Sequence, residues 1–205
     1  MVEKISKYTA HFFSAVFNPF LVATFGFLVI LYHMPGLQYY TPKIKAMLVG
    51  IVFTTTCILP MLFILLISFT SNIKRNMEHQ KDRLLPYLFS AFSIFMGAQL
   101  MGKLPIPGIF RLFMLGIVLS LVLLFMVTLK WKISGHAAGM GGMLGTFLAL
   151  LFKYRMDLQW IILATILVAG LVGSSRLILN KHTPAQVYVG FSLSLLVMYL
   201  TVYFF

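Results

Sequence analysis

The sequence predicts an all-α fold, a polytopic transmembrane helical bundle of six to seven spans, and three observations carry that prediction. Of its 205 residues, 60% are hydrophobic and only 10% are charged, whereas a soluble domain carries about 25% charged residues. Uncharged apolar stretches long enough to cross a bilayer, about 17–25 residues, recur along the chain. Seven spans of roughly 20 residues consume about 140 positions, which leaves only loops and tails besides. One integral membrane domain is therefore expected over residues 1–205.

The spans follow in order. No Lys, Arg, Asp or Glu occurs from Tyr8 to Pro42, so span 1 is expected from Phe12 to His33, with an irregular first turn at Asn18 and Pro19. Its length, its aromatics and the lack of a small-residue cleavage site make it an uncleaved span, not a signal peptide. Span 2 runs from Ala46 to Phe69, with Pro60 inside it as a kink. The polar segment Ser71 to Arg83 precedes span 3, Pro86 to Met101, and two prolines at Pro105 and Pro107 forbid continuation into span 4, Phe110 to Leu129. Span 5, His136 to Phe152, is glycine-rich and suited to close backbone approach. Span 6 covers Leu158 to Leu179 and span 7 Pro184 to Phe205.

Sixteen Lys and Arg against four acids give a formal charge of +12. The basic residues lie at span ends, not along a solvated stripe, which fits lipid phosphates and excludes nucleic acid as a partner. Seven spans put the N-terminal tail, the Ser71 to Arg83 loop and the turns before spans 5 and 7 on one side. That side holds Lys4, Lys7, Lys74, Arg75, Lys81, Arg83, Lys130, Lys132, Arg176 and Lys181. Several of these are candidate phosphate ligands, and setting Lys81, Arg83, Lys132, Arg176 and Lys181 aside removes the charge bias that would assign the cytoplasmic face. The single cysteine, Cys57, lies in an apolar run and bears on no compartment.

Three stretches on this common side carry unusual chemistry: Lys81-Asp82-Arg83-Leu-Leu-Pro86, Lys132-Ile133-Ser134-Gly135-His136, and Ser175-Arg176 followed by Asn180-Lys181-His182-Thr183-Pro184. Packing of the bundle would gather two histidines and two arginines at one interface. The arginine fork matches phosphate oxygens, and Ser134 and Thr183 have the character of helix N-caps, whose following N–H groups attract anions. A neutral imidazole can attack phosphorus while a protonated one gives its proton to the leaving oxygen. Four acids in all, three of them outside any cluster with both histidines, offer few hard oxygen ligands, so neither a metal nor any cofactor is expected.

These residues resemble the type 2 phosphatidic acid phosphatase superfamily. Its pattern is Lys, six residues, Arg-Pro; then Pro-Ser-Gly-His; then Ser-Arg, five residues, His, three residues, Asp. Ser134-Gly135-His136 matches the second motif with Ile133 for proline. Ser175-Arg176 and His182 match the third, and Arg83 with the displaced Pro86 matches the first, so the phosphatase-like core is expected over 74–205. The resemblance implies that His182 is the nucleophile and His136 the general acid, with Arg83, Arg176 and Lys81 gripping phosphate and Ser134 and Gly135 donating to it. Gln186 stands where the family has the aspartate that orients the nucleophile, and Asn76 where it has lysine. Gln186 itself, or Asp82 or Glu78 from another loop, would then orient His182.

The implied function is metal-independent hydrolysis of a phosphomonoester or diphosphate of a membrane lipid through a phosphohistidine. Phosphatidic acid, phosphatidylglycerol phosphate, a polyprenyl diphosphate and lipid A phosphates are the candidate substrates; the bilayer is the medium, and oligomeric state stays open. The alternative is a catalytically impaired lipid-phosphate-binding or scaffold protein, for which Gln186 and Asn76 speak. A transporter lacks its mid-span ionisable residue, and a magnesium-diphosphate prenyltransferase lacks its Asp-rich motifs. The expected location is the bacterial cytoplasmic (inner) membrane, with the site facing outward.

Overall fold

The computed structural model describes residues 2–70 and 80–205, all helices and connections, with no strand among them. The helices are α1 (Val2–Val16), α2 (Pro19–His33), α3 (Pro42–Phe53), α4 (Leu59–Thr70), α5 (Leu84–Gly102), α6 (Ile109–Thr128), α7 (Gly135–Tyr154), α8 (Gln159–Ile178) and α9 (Pro184–Phe204). Six helical segments, with α3 and α4 counted as one, are long and apolar enough to cross a membrane, and the bent pair α1 and α2 would make a seventh. The protein is thus a multi-pass helical bundle. Of the polar Ser71 to Arg83 segment, Asn76, Glu78 and His79 lie outside the described residues.

The first span departs from its expected course. Asn18 does not merely disturb a first turn: its side chain accepts from the Phe20 N–H (3.1 Å) and Pro19 follows at the first helical position, so a new helix starts there. The preceding residues form α1, bent 58° from α2. Ala10 and Ser14 on one side of α1 are buried, and α1 packs on α8. Ile5, Tyr8 and Phe12 form an exposed apolar stripe on the opposite side, suited to lipid contact at the level of the headgroups.

Pro60 acts together with a π turn at Thr54–Ile58, which joins α3 to α4. Widening the helix by one residue accommodates a proline ring that would otherwise meet the preceding turn. A carbonyl in that turn finds an outside partner: the Ser93 hydroxyl of α5 donates to Thr55 O (2.9 Å), as a bilayer interior requires. Pro86 sits in the first turn of α5, where a missing N–H costs nothing.

The tightest packing joins α7 to α9. A Cβ on Gly141 would run into Phe191 O, and one on Gly145 into Leu195 O, both backbone atoms of α9. On α9, a Cβ on Gly190 would lie 2.7 Å from Ser134 O. Small residues let these two backbones touch, and the Ser134 N–H donates to Gln186 O (3.2 Å) at their N-terminal ends. The glycine face is therefore a packing surface, and its consequence is that the starts of α7 and α9 lie together.

Candidate active site

The geometry of the site follows from how two helices begin and one ends. Helix α8 stops in a Schellman turn: Asn180 takes a left-handed conformation (φ 50°), the Lys181 N–H donates to Arg176 O (3.1 Å) and the Asn180 N–H to Leu177 O (2.9 Å). Thr183 then caps α9, with Pro184 at its first position. This stop and start hold Arg176 and His182 at the same end of the bundle, although five residues separate them. Ser134 caps α7, its hydroxyl accepting from the Ala137 N–H (3.4 Å), so Gly135 and His136 occupy the first turn, before the first intrahelical hydrogen bonds.

His182 is buried and fixed at both ring nitrogens. Its Nδ1 is 3.0 Å from Gln186 Oε1, an amide oxygen that also accepts from the Thr183 N–H (3.2 Å) in the capping box of α9. Because that oxygen only accepts, Nδ1 carries the proton and Nε2 keeps its lone pair. Arg83 Nη1 lies 3.4 Å from this Nε2 and donates to Ile133 O at 3.0 Å. Burial pushes the His182 pKa down to about 3, with the Arg83 charge adding to it, the hydrogen bond to Gln186 opposing it, and Arg176 and Lys132 adding further repulsion. The imidazole is neutral at pH 7.

His136 and Arg176 meet at a residue no motif contains. His136 Nε2 is 3.1 Å from the carbonyl oxygen of Ser14, and Arg176 Nη1 donates to the Ser14 hydroxyl at 3.2 Å. Arg176 Nε is buried with no hydrogen-bond partner. The four side chains Arg83, His136, Arg176 and His182 line one end of a cavity of about 760 Å³. Its remaining wall is mostly apolar and is built by α2, α4, α5, α6, α7 and α9, with Leu62, Leu65, Phe113, Leu121, Met143 and Met198 among its residues. A polar end on an apolar channel of this size fits a lipid bearing an anionic head.

The other expected ligands lie differently. Gly135 lines the cavity, whereas Lys81 is exposed and is not part of its wall. Ser134 is fully buried and its hydroxyl is engaged as the α7 cap. The partner of His182 Nδ1 is Gln186 and not Asp82, while Glu78 lies outside the described residues. Ile133, in the proline position of the second motif, is completely buried against Leu124 and Ala138, and its carbonyl serves Arg83.

Two residues at the site have no signal in the sequence. Tyr87, whose side chain hydrogen-bonds Arg83, lines the cavity beside Gly135, where a Cβ would come within 3.2 Å of the tyrosine oxygen. Ser14 precedes every motif. Among the described residues, no three His, Cys, Asp or Glu side chains gather into a group that could hold a metal ion.

No curated protein and no solved structure matches the chain. The model of the PAP2 superfamily matches residues 46–205, which take in all four side chains at the polar end of the cavity, and the chain therefore belongs to the PAP2 superfamily.

Proposed function

We propose that the protein is a membrane lipid phosphatase, hydrolysing a phosphomonoester or diphosphate at the bilayer surface without a metal, through a phosphohistidine on His182. Family membership supports a hydrolase acting on phosphorylated substrates. The finer reading rests on one observation: a neutral His182 whose Nε2 lone pair stands 3.4 Å from the Arg83 guanidinium, at the polar end of an apolar channel. Phosphatidic acid, phosphatidylglycerol phosphate, a polyprenyl diphosphate and lipid A share the chemistry such a channel would accept.

In the proposed reaction, Arg83 and Arg176 hold the phosphoryl oxygens, and first-turn N–H groups of α7, at Gly135 and His136, add to the anion site. Nε2 of His182 attacks phosphorus as the bond to the lipid oxygen breaks, and protonated His136 gives that oxygen its proton. Bound phosphate favours the protonated form of His136 by its charge. Water then attacks the phosphohistidine and loses its proton to His136, and the N–P bond breaks to restore neutral His182 and release phosphate. Gln186 keeps the tautomer of His182 but brings no negative charge to the ring, which becomes cationic in the intermediate.

That missing charge also favours a second reading, a protein that binds lipid phosphate and turns it over slowly or not at all. Phosphate release from a panel of lipid phosphates, by purified protein in detergent with and without a chelator, separates the two. Release abolished by His182→Ala and untouched by chelator is the expected result. Absence of release from every lipid, with phosphate still bound, would favour the binding protein, and loss of release on chelation would overturn the metal-free route.

A further inference from the structure

Helix α1 lies outside the matched family region, yet one of its residues bonds two of the four polar side chains at the cavity. The Ser14 carbonyl oxygen lies 3.1 Å from His136 Nε2. A carbonyl only accepts, so Nε2 must carry hydrogen whether the ring is neutral or charged, and Nδ1 is the position that gains and loses a proton. The Ser14 hydroxyl accepts from Arg176 Nη1 at 3.2 Å, while Nε of the same guanidinium is buried without a partner. Buried donors are rarely left unmatched, so a guanidinium nitrogen buried in the wall of this cavity is placed to serve an acceptor bound there. Ser14 is itself only 8% exposed, on the buried side of α1.

We propose that Ser14 is a positioning residue of the phosphate site: its carbonyl holds His136 in the Nε2–H form so that Nδ1 is the atom exchanging the proton, and its hydroxyl turns Arg176 so that Nε receives a phosphate oxygen. The role of His136 as proton donor rests on the function proposed above; the tautomer and the anion contact of Arg176 do not. The two histidines then work through opposite ring nitrogens, His182 through Nε2 and His136 through Nδ1. The docking of α1 becomes part of the working site and not an appendage to it.

The test uses the full chain in lipid nanodiscs with ¹⁵N-labelled histidine, the His136 signal being assigned from a His136→Gln sample, and inorganic phosphate as the binding probe. In the wild type and in Ser14→Ala, His136 is expected as the Nε2–H tautomer, because the backbone carbonyl remains. Phosphate affinity is expected to fall about tenfold in Ser14→Ala, as for loss of one hydrogen bond to a charged group, and to recover to within about twofold in Ser14→Thr, which restores a hydroxyl. Ser14→Leu, whose bulk displaces α1, is expected to lose both the tautomer and the affinity. An Nδ1–H tautomer in the wild type, or unchanged phosphate binding in Ser14→Ala, would overturn the proposal, as would tighter binding and faster turnover in Ser14→Leu, which would make α1 an inhibitory cover. Lipid-phosphate release by the wild type is scored separately. Its absence alongside the expected tautomer and affinities would count against the phosphatase and leave the Ser14 assignment standing.

Discussion

The two histidines at the cavity are held in contrasting ways. His182 is oriented from within its own motif, by Gln186 one turn along α9, through a capping box that also starts the helix. His136 is oriented from far away in the chain, by a backbone carbonyl on α1. Local orientation is rigid because the cap and His182 share one hydrogen-bonded turn. Remote orientation depends on how α1 docks on α8, across a 58° bend at Asn18. The chemistry proposed for each matches its support: a fixed attacking atom in one case, a proton carrier in the other.

The largest expected effect breaks the His182 side of this contrast. His182→Ala is expected to reduce lipid-phosphate turnover about a thousandfold or more, while its phosphate affinity changes little, because the arginines remain. Steady-state release together with phosphate titration checks it, and a loss of affinity alone would mean that His182 binds without attacking. Next comes the group shared by both halves. Arg83→Ala is expected to lower kcat about a hundredfold through loss of charge stabilisation at the transferred group, and Arg83→Lys, which puts a point charge in place of the planar guanidinium fork that matches phosphate oxygens, should recover little of it.

Gln186 sharpens the comparison most directly. Gln186→Asp supplies the negative charge the cationic phosphohistidine lacks and is expected to raise kcat about tenfold, whereas Gln186→Leu removes the acceptor from Nδ1 and lowers it by a similar factor or more. A fall in kcat for the aspartate variant would show that burial of a carboxylate at this point outweighs its benefit.

A smaller effect lies in pH dependence. With the folded pKa of His182 at about 3, no loss of nucleophile is expected near the ordinary histidine value of 6.5; the acid limb of kcat/KM from this group lies nearer pH 3. Removing the Arg83 charge relieves repulsion and moves that limb upward, which the Arg83→Gln profile reads. The same shift couples to stability. Unfolded chains bind the proton that folded His182 refuses, so this group's contribution rises with pH from about 3 to 6.5 and is lost as pH falls through that window.

How much of this could be read from sequence depends on where each group's partner lies. The bundle and its spans were legible because bilayer-length apolar runs have few alternatives. His182, Arg176 and His136 were legible because a helix stop, a cap and a first turn set their spacing within one or two turns. Asn18 and Pro19 were visible too, but the same two residues fit either an irregular turn or a fresh helix, and only the packing of α1 on α8 decides for the latter. Lys81 illustrates the opposite limit. Its charge and place in a motif-like string put it with the phosphate ligands, yet the short 3-10 turn of Lys81–Arg83 leaves it exposed and outside the cavity wall while Arg83 reaches His182. Ser14 could not be found at all: one of its contacts uses a backbone atom, which every residue possesses, and the other spans most of the chain. Orientation of the remote kind leaves no spacing to read.

The central claim is that His182 Nε2 forms a bond to phosphorus, and trapping that bond tests it most directly. Protein turning over a ³²P-labelled lipid phosphate is quenched in base, where phosphohistidine survives, and the label is located by peptide mapping. Acid-labile label on His182, absent from His182→Ala and accumulating in His136→Ala if hydrolysis of the intermediate needs the second histidine, is the expected result. Turnover with no label on His182, or label that persists in His182→Ala, would contradict it.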